Sequence, residues 1–302
     1  TLAERVLLNP GSAGGPAFHL VLQPPAGARM QWQAGDIAEI GPRNARADID
    51  AFLLANGLSG EAPVQFQDAR VPLAESLARA RLPANGTATG QALQAFVDTL
   101  QPLPHREYSI ASIPQDGNLQ LLVRLMQRED GTPGIGSGWL CLHAAPGDPI
   151  DLRLRANPNF HAPDPATPLV LVGNGTGLAG LRAHLKARVA VGAHRNWLLF
   201  GERNAHHDSF HGAELEAWLH AGELAHLDRV YSRDGGPLRY VQDALRAQAP
   251  RLRAWLQEGA AIHVCGSLQG MAPGVDAVLV ELLGRAGVDA LVEAGRYRRD
   301  VY

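Results

Sequence analysis

One stretch limits the fold more than any other. Leu169-Val170-Leu171-Val172 runs straight into Gly173-Asn174-Gly175-Thr176-Gly177-Leu178-Ala179-Gly180. A bare apolar strand that ends in glycines and opens a helix is a phosphate-cradling turn. Glycines let the backbone approach an anion, and the helix N-terminus adds free N–H groups and positive dipole. The alternative is an ordinary tight turn between strand and helix. Gly175-x-Gly177-x-x-Gly180 also fits the dinucleotide fingerprint, which wants an acid about 20 positions on for the ribose diol. Glu202 stands near that place, but Arg203 follows it at once. A cation there suits a phosphorylated ribose better than a free diol.

The same rhythm continues to the C-terminus. Trp197 to Phe200, the segment around Val230, and Ala261 to Cys265 read as strands. Helical patterns run through Leu178, Leu181, Leu185 and Val189, through Leu215, Trp218 and Leu219, over residues 241–256, and over 275–283. Such alternation predicts a parallel sheet covered on both faces, with ligands at the carboxyl ends of its strands.

Before Pro168 the pattern differs. Short strands at 5–8, 19–22 and 37–40 give way to helical spacing at Ile49, Phe52, Leu53 and Leu54, then Leu73, Leu77 and Leu82, then Leu93, Phe96 and Leu100. Pro83, Asn85 and Gly86 break the chain between the last two helices. Strand character returns at Tyr108, with a buried strand at 119–126 and a Gly-rich loop at 131–138. The simplest fold class is an antiparallel β-barrel with a short helical insert, followed by a parallel-sheet α/β domain. The boundaries fall at 1–45 and 103–165 for the barrel, 46–102 for the insert, and 166–302 for the α/β part.

Length agrees, since 302 residues at about 150 per domain imply two domains. A net charge of −3 gives no footprint for nucleic acid. The two cysteines, Cys141 and Cys265, cannot make a disulfide framework, so a reducing, cytoplasmic compartment is expected. No apolar run approaches 18 residues, so no membrane span is expected in this piece. The first residue is Thr1 rather than Met, which suggests a piece of a longer protein.

Several smaller motifs carry chemistry. Ser232-Arg233-Asp234, with Arg239-Tyr240-x-Gln242 behind it, sets a hydroxyl and guanidinium forks where a phosphate could be gripped. Exposed loop arginines are otherwise simply solvated. Arg106-Glu107-Tyr108-Ser109 precedes Gly134-Ile135-Gly136-Ser137-Gly138-Trp139-Leu140. The latter is not a hydrolase elbow, because Ile135 and Trp139 stand where glycines would be required. His206, His207, Asp208 and His211 have the look of metal ligands, but Asp208 also suits a helix N-cap; no metal site is assigned.

Taken in order, these motifs carry a resemblance. Arg-x-Tyr-Ser, Gly-x-x-Ser-x-Trp-Leu, Gly-x-Gly-Thr-Gly, Ser-Arg, Cys-Gly and a terminal aromatic follow one another as in the ferredoxin–NADP reductase superfamily. The chain most resembles its diflavin branch, the sulfite reductase flavoprotein subunit and cytochrome P450 reductase. Arg106-Glu107-Tyr108-Ser109-Ile110-Ala111-Ser112 resembles that branch's FAD signature, and Gly295-Arg296-Tyr297-Arg298-Arg299-Asp300-Val301-Tyr302 its extreme C-terminus. The pairing of this glycine turn with a short connector also resembles certain bacterial reductases. In those, a membrane-embedded PepSY-type unit and a flavodoxin-like domain precede the module.

The resemblance implies FAD and NADPH as cofactors and an NADPH-dependent flavoprotein oxidoreductase. Arg106 would pair with the FAD pyrophosphate, and Gly134, Ile135, Gly136 and Ser137 would cap it. Tyr108 and Tyr302 would stack on opposite flavin faces, Ser109 would bond near its reactive nitrogen, and backbone at Leu122, Val123 and Arg124 would line its edge. Gly175, Thr176 and Gly177 would bind the NADPH pyrophosphate. Ser232 and Arg233 would hold the 2′-phosphate beside Arg203, Arg239, Tyr240 and Gln242. Ser109, Cys265 and Asp300 would align the nicotinamide, with Tyr302 moving aside to admit it.

The implied partner is a flavodoxin-like FMN domain or protein, in the same full-length chain or separate. The piece would then be cytoplasmic or tethered at the inner membrane's cytoplasmic face. A free-standing ferredoxin or flavodoxin reductase and a non-catalytic nucleotide-binding module are the alternatives. The chain departs from the family pattern at Asn174 and Gly180, where proline is usual, and at His161, Leu238, Ser267 and Gly274.

Overall fold

The computed structural model describes residues 1–84, 87–88 and 92–302. The predicted break at Asn85 and Gly86 lies outside the described residues. In chain order the elements are β1 (Leu2–Leu7), β2 (Ala17–Leu22), β3 (Ile37–Gly41), α1 (Arg46–Asn56), β4 (Pro63–Phe66), β5 (Ala69–Pro72), α2 (Leu73–Arg79), α3 (Leu93–Val97), β6 (Arg106–Ser109) and β7 (Leu119–Arg124). There follow α4 (Ile135–Gly138), β8 (Asp151–Arg155), β9 (Leu169–Asn174), α5 (Leu178–Ala190), β10 (Asn196–Glu202), α6 (Gly212–His220) and β11 (His226–Tyr231). The chain ends with α7 (Val241–Ala247), α8 (Ala249–Gln257), β12 (Ala261–Gly266), α9 (Met271–Glu293) and β13 (Tyr297–Val301).

The expected fold class is present: antiparallel strands first, then a parallel sheet with helices. One three-stranded sheet has the order β1-β2-β7, and another the order β6-β3-β8. The five-stranded sheet has the order β11-β10-β9-β12-β13 and is parallel throughout. The chain runs outward from β9 to β11, then returns to β12 on the other side of β9. That reversal opens a crevice at the carboxyl ends of β9 and β12, where such sheets take their ligands.

By its contacts the chain divides into two compact units. One comprises Thr1–Leu2, Glu39–Glu107 and Leu125–Arg153; the other comprises Ala3–Ala38, Tyr108–Arg124 and Leu154–Tyr302. In the second unit, strand alternation sorts side chains into two cores. Val170, Val172, Trp197, Leu199, Ile262 and Val264 face a core shared with residues of α7, α8 and α9. Leu169, Leu171, Leu198, Phe200 and Cys265 face the core of α5 and α6. Burying both faces explains why these strands read as bare apolar runs; each fully buried Leu or Phe contributes about 1.5–3 kcal/mol.

In the first unit, Phe52, Leu73, Leu77 and Phe96 build a separate small core. Three features there differ from the sequence reading. Leu54 is 85% exposed, so it belongs to the outer face of α1. Residues 63–72 form an antiparallel hairpin, β4 with β5, turning at Gln67 with φ 53°. Two-residue hairpin turns usually advertise themselves with Asn-Gly or Asp-Gly; Gln67-Asp68 carries no such mark. Gly134 begins the short helix α4 rather than lying in an open loop. The helix expected over 241–256 is divided into α7 and α8, with Pro250 in the first turn of α8. Among the described residues, no helix is long and apolar enough to cross a membrane.

Candidate functional site

The glycine turn leaves β9 as a single 3-10 turn, Gly175–Gly177, and feeds α5. Its glycines are steric necessities. A Cβ on Gly177 would stand 2.2 Å from the Cys265 carbonyl oxygen and 2.6 Å from Gly266 Cα, and one on Gly173 would stand 2.5 Å from the same carbonyl. The turn therefore lies directly on the end of β12. Asn174, which replaces a proline of the family pattern, ties the two together: its Oδ1 accepts the Ser267 N–H at 3.0 Å.

Three expected residues meet at this crevice. Parallel pairing sets Cys265 opposite Asp300 across β12 and β13. Ser109, from the end of β6, donates from Oγ to Asp300 Oδ2 at 2.7 Å and lies 4.0 Å from Cys265 Sγ. Cys265 Sγ stands 3.8 Å from the same carboxylate oxygen. Burial, and then the neighbouring Asp300, push the Cys265 thiol well above its ordinary range. It is a neutral thiol at pH 7, not a nucleophile. A Cβ on Gly180 would lie 3.3 Å from Phe160 Cε1 and 3.4 Å from this sulfur, so the helix start packs close against both. The phenol of Tyr302 interacts with Thr176 and Ser109, although 58% of the residue is exposed.

The opposite flank, beyond β10 and β11, is charged. The Glu202 and Arg203 carbonyls accept the Ser232 and Arg233 N–H groups, both at 2.9 Å, so Arg203, Ser232 and Arg233 stand side by side. Arg239 donates from Nη2 to the Ser232 carbonyl at 3.0 Å. Tyr240 is 50% exposed and is held by Asp243, whose Oδ2 accepts the Tyr240 N–H at 3.0 Å. Gln242 fills the space that any side chain on Gly274 would need: a Cβ there would stand 2.9 Å from its Nε2. Leu122, Val123 and Arg124 close β7 in the same unit, and the Arg124 side chain pairs with Glu202.

In the first unit, the Arg106 guanidinium is exposed and donates, among the described residues, only to the carbonyls of Pro104 and His105. Ser137 Oγ accepts the Met126 N–H at 3.0 Å, fixing the start of α4. Tyr108, in the second unit, is half-buried.

Other positions settle differently from the sequence reading. Asp208 does not cap α6, whose N-cap is His211. Its carboxylate instead accepts from Asn9 Nδ2 at 3.2 Å and the Asn204 N–H at 3.1 Å. His207 bonds the Pro10 carbonyl. No group of three metal-ligating side chains occurs among the described residues. His161, where the family pattern has arginine, pairs with Asp36 at 2.6 Å. Although burial opposes it, hydrogen bonds from Gln33, His161 and Asn157 hold the Asp36 carboxyl below its usual range. The sequence reading missed Asp243. The signal was available, because an acid three residues after a helix's first boundary residue is the mark of a capping box.

Residues 171–277 match the oxidoreductase NAD-binding domain family. With the parallel sheet, its glycine turn and the antiparallel part, the chain has the two-domain fold of the ferredoxin–NADP reductase superfamily of oxidoreductases. Within it, the chain is similar to proteins named sulfite reductase [NADPH] flavoprotein alpha-component. It is 35% identical to that of Mannheimia succiniciproducens over 69% of this chain and 38% of the relative. It is 37% identical to that of Yersinia enterocolitica over 68% and 37%. It is 30% identical to that of Yersinia pestis over 90% and 55%. The chain thus spans about half or less of the length of these relatives.

Proposed function

We propose that the chain is the FAD- and NADPH-binding reductase module of a flavoprotein, passing electrons from NADPH to a one-electron carrier, a flavodoxin-like FMN domain. Residues 1–45 and 103–165 form its FAD-binding domain, 46–102 a connecting insert, and 166–302 its NADPH-binding domain. The observation that carries the reading is the Ser109–Asp300–Cys265 group, buried against the glycine turn at the switch point of the parallel sheet. The relatives' name, with its NADPH and flavoprotein, supports the choice of cofactors.

The residues suit the two cofactors. Arg106 offers an exposed guanidinium, without a carboxylate partner among the described residues, to a diphosphate. Arg203, Ser232, Arg233 and Arg239 offer charge and a hydroxyl to a 2′-phosphate. Held by these residues, FAD would supply hydride-accepting and single-electron-releasing chemistry.

The chain's own residues position and protect. Asp300 holds the Ser109 hydroxyl proton, which fixes the orientation of Oγ. Cys265 stays protonated, so no thiolate stands beside an oxidised nicotinamide ring. Tyr302 covers the same group and must move for nicotinamide to enter. The module acts in the cytoplasm, or at the cytoplasmic face of a membrane where PepSY-type segments precede it.

The test is ferricyanide reduction by NADPH with the FAD-loaded protein. The Ser109→Ala variant is expected to lose about a hundredfold in kcat, because misplacement of reacting groups by about 1 Å costs that much. Its affinity for 2′,5′-ADP should stay unchanged. A yellow protein that NADPH never bleaches would overturn the reading.

A further inference from the structure

The acid that a dinucleotide-binding sheet offers to a ribose diol is here turned inward. Glu202 closes β10, at the position where that acid belongs. Its side chain is only 5% exposed, and both carboxylate oxygens are taken. Oε1 accepts from Arg124 Nη2, and Oε2 accepts the Arg203 N–H at 3.0 Å. Arg124 is fixed in turn: Nη1 donates to the Gly15 carbonyl at 2.6 Å, and the guanidinium lies over the Phe210 ring at 5.8 Å.

The pair sits beside the glycine turn. A Cβ on Gly175 would stand 3.5 Å from Glu202 Oε1 and 3.9 Å from Arg124 Nη2. Burial raises the Glu202 carboxyl, and Arg124 is the chief force holding it ionised. Through its own carbonyl Glu202 also carries the Ser232 N–H, so it is one backbone bond away from the cation group. An outward, unpaired carboxylate at this place would accept a ribose diol and repel a 2′-phosphate.

We propose that Arg124 determines nucleotide specificity: by holding Glu202 inward, it removes the diol acceptor and the repelling charge, and so lets the site take a 2′-phosphorylated nucleotide. This role is distinct from any contact of its backbone with the flavin. It rests on the NADPH reading above. Arg124 acts through Glu202 and is a positioning residue.

The experiment is calorimetric binding of 2′,5′-ADP and 5′-AMP to the FAD-loaded protein at pH 8, where a released carboxyl is ionised. The wild type should prefer 2′,5′-ADP. Arg124→Leu should lower that preference about tenfold or more, as expected for a like charge placed against the phosphate. Arg124→Lys should retain most of the preference, and Glu202→Gln added to Arg124→Leu should restore it.

An unchanged preference in Arg124→Leu would overturn the proposal. So would an equal loss in the double variant, which would assign the effect to the arginine's own charge. If Arg124→Leu does not fold, Glu202→Gln alone decides: it should keep or raise the preference, and a fall sinks the idea. A wild type that binds neither nucleotide would instead remove the NADPH reading itself.

Discussion

The carboxyl edge of the parallel sheet is built in two different ways. Towards β12 and β13 it is buried and closely packed: Cys265 is fully buried, Ser109 nearly so, and both lean on Asp300. Towards β10 and β11 it is open, with Arg233, Arg239 and Tyr240 all exposed. The difference suits the two tasks proposed for the flanks. Aligning reacting atoms needs groups whose freedom is removed in advance. Gripping a highly charged phosphate needs donors that water reaches until the ligand displaces it. Variants that fill, charge or loosen one flank should therefore leave different signatures from those on the other.

The largest effect is expected at the packed flank. Gly177→Ala would drive a methyl into the Cys265 carbonyl, which is backbone and cannot swing away. A loss of about 3 kcal/mol is expected, the upper range for overpacking, together with loss of 2′,5′-ADP binding. Gly236→Ala on the open flank should be nearly neutral, since a Cβ there meets only the Leu238 carbonyl at 3.9 Å. Thermal unfolding of both variants measures the contrast, and equal melting temperatures would erase it.

Acid tests the buried histidines on the α5 and α6 side of the sheet. Burial holds His184 at about 3, with Arg188, His161 and Arg298 also opposing its charge. Burial likewise holds His211 at about 3, helped by Arg182, His19 and Lys186. In the unfolded chain these imidazoles titrate near 6.5, so below that pH protons bind the unfolded state preferentially. Stability is complete above pH 6.5 and falls as pH drops towards 3. At pH 5 each histidine should cost about 2 kcal/mol. Urea unfolding at pH 8 and pH 5 reads the difference, and a His184→Phe variant should recover about one histidine's share. A flat profile would mean that these rings are solvated.

On the open flank, Arg233→Ala should raise the KM for NADPH about tenfold while leaving the KM for NADH nearly unchanged. Steady-state kinetics with both nucleotides measures it. Equal effects on the two would place the 2′-phosphate elsewhere.

What the sequence disclosed differs between the flanks for a physical reason. The bare strand 169–172 and its glycines announced the sheet and the crevice, because burial on both faces and close backbone approach leave few residue types to choose from. Asp300 and Cys265 were found only through ordered resemblance; nothing in local spacing says that β12 and β13 pair in the register that joins them. The Arg124–Glu202 pair escaped for the same reason, since its partners come from β7 and β10, far apart in the chain. The hairpin at 63–72 was hidden by a turn without glycine or asparagine. Asp208 read as a cap because helix starts favour such residues, yet its bonds to Asn9 and Asn204 take its oxygens elsewhere.

The smallest expected effect is also the finest test of how the open flank is held. Asp243 accepts the N–H groups of Tyr240 at 3.0 Å and of Arg239 at 3.3 Å, so one carboxylate fixes the backbone from which the two side chains proposed for recognition project. Asp243→Ala removes this box from the start of α7 and should cost about 1 kcal/mol of stability. If the exposed flank depends on its backbone being set in advance, the variant should also bind 2′,5′-ADP a few-fold more weakly, with kcat unaltered. If exposed arginines act only as mobile charges, stability should fall without any change in binding. The second result would make the contrast between the flanks one of burial alone, with no difference in how firmly their backbones are placed.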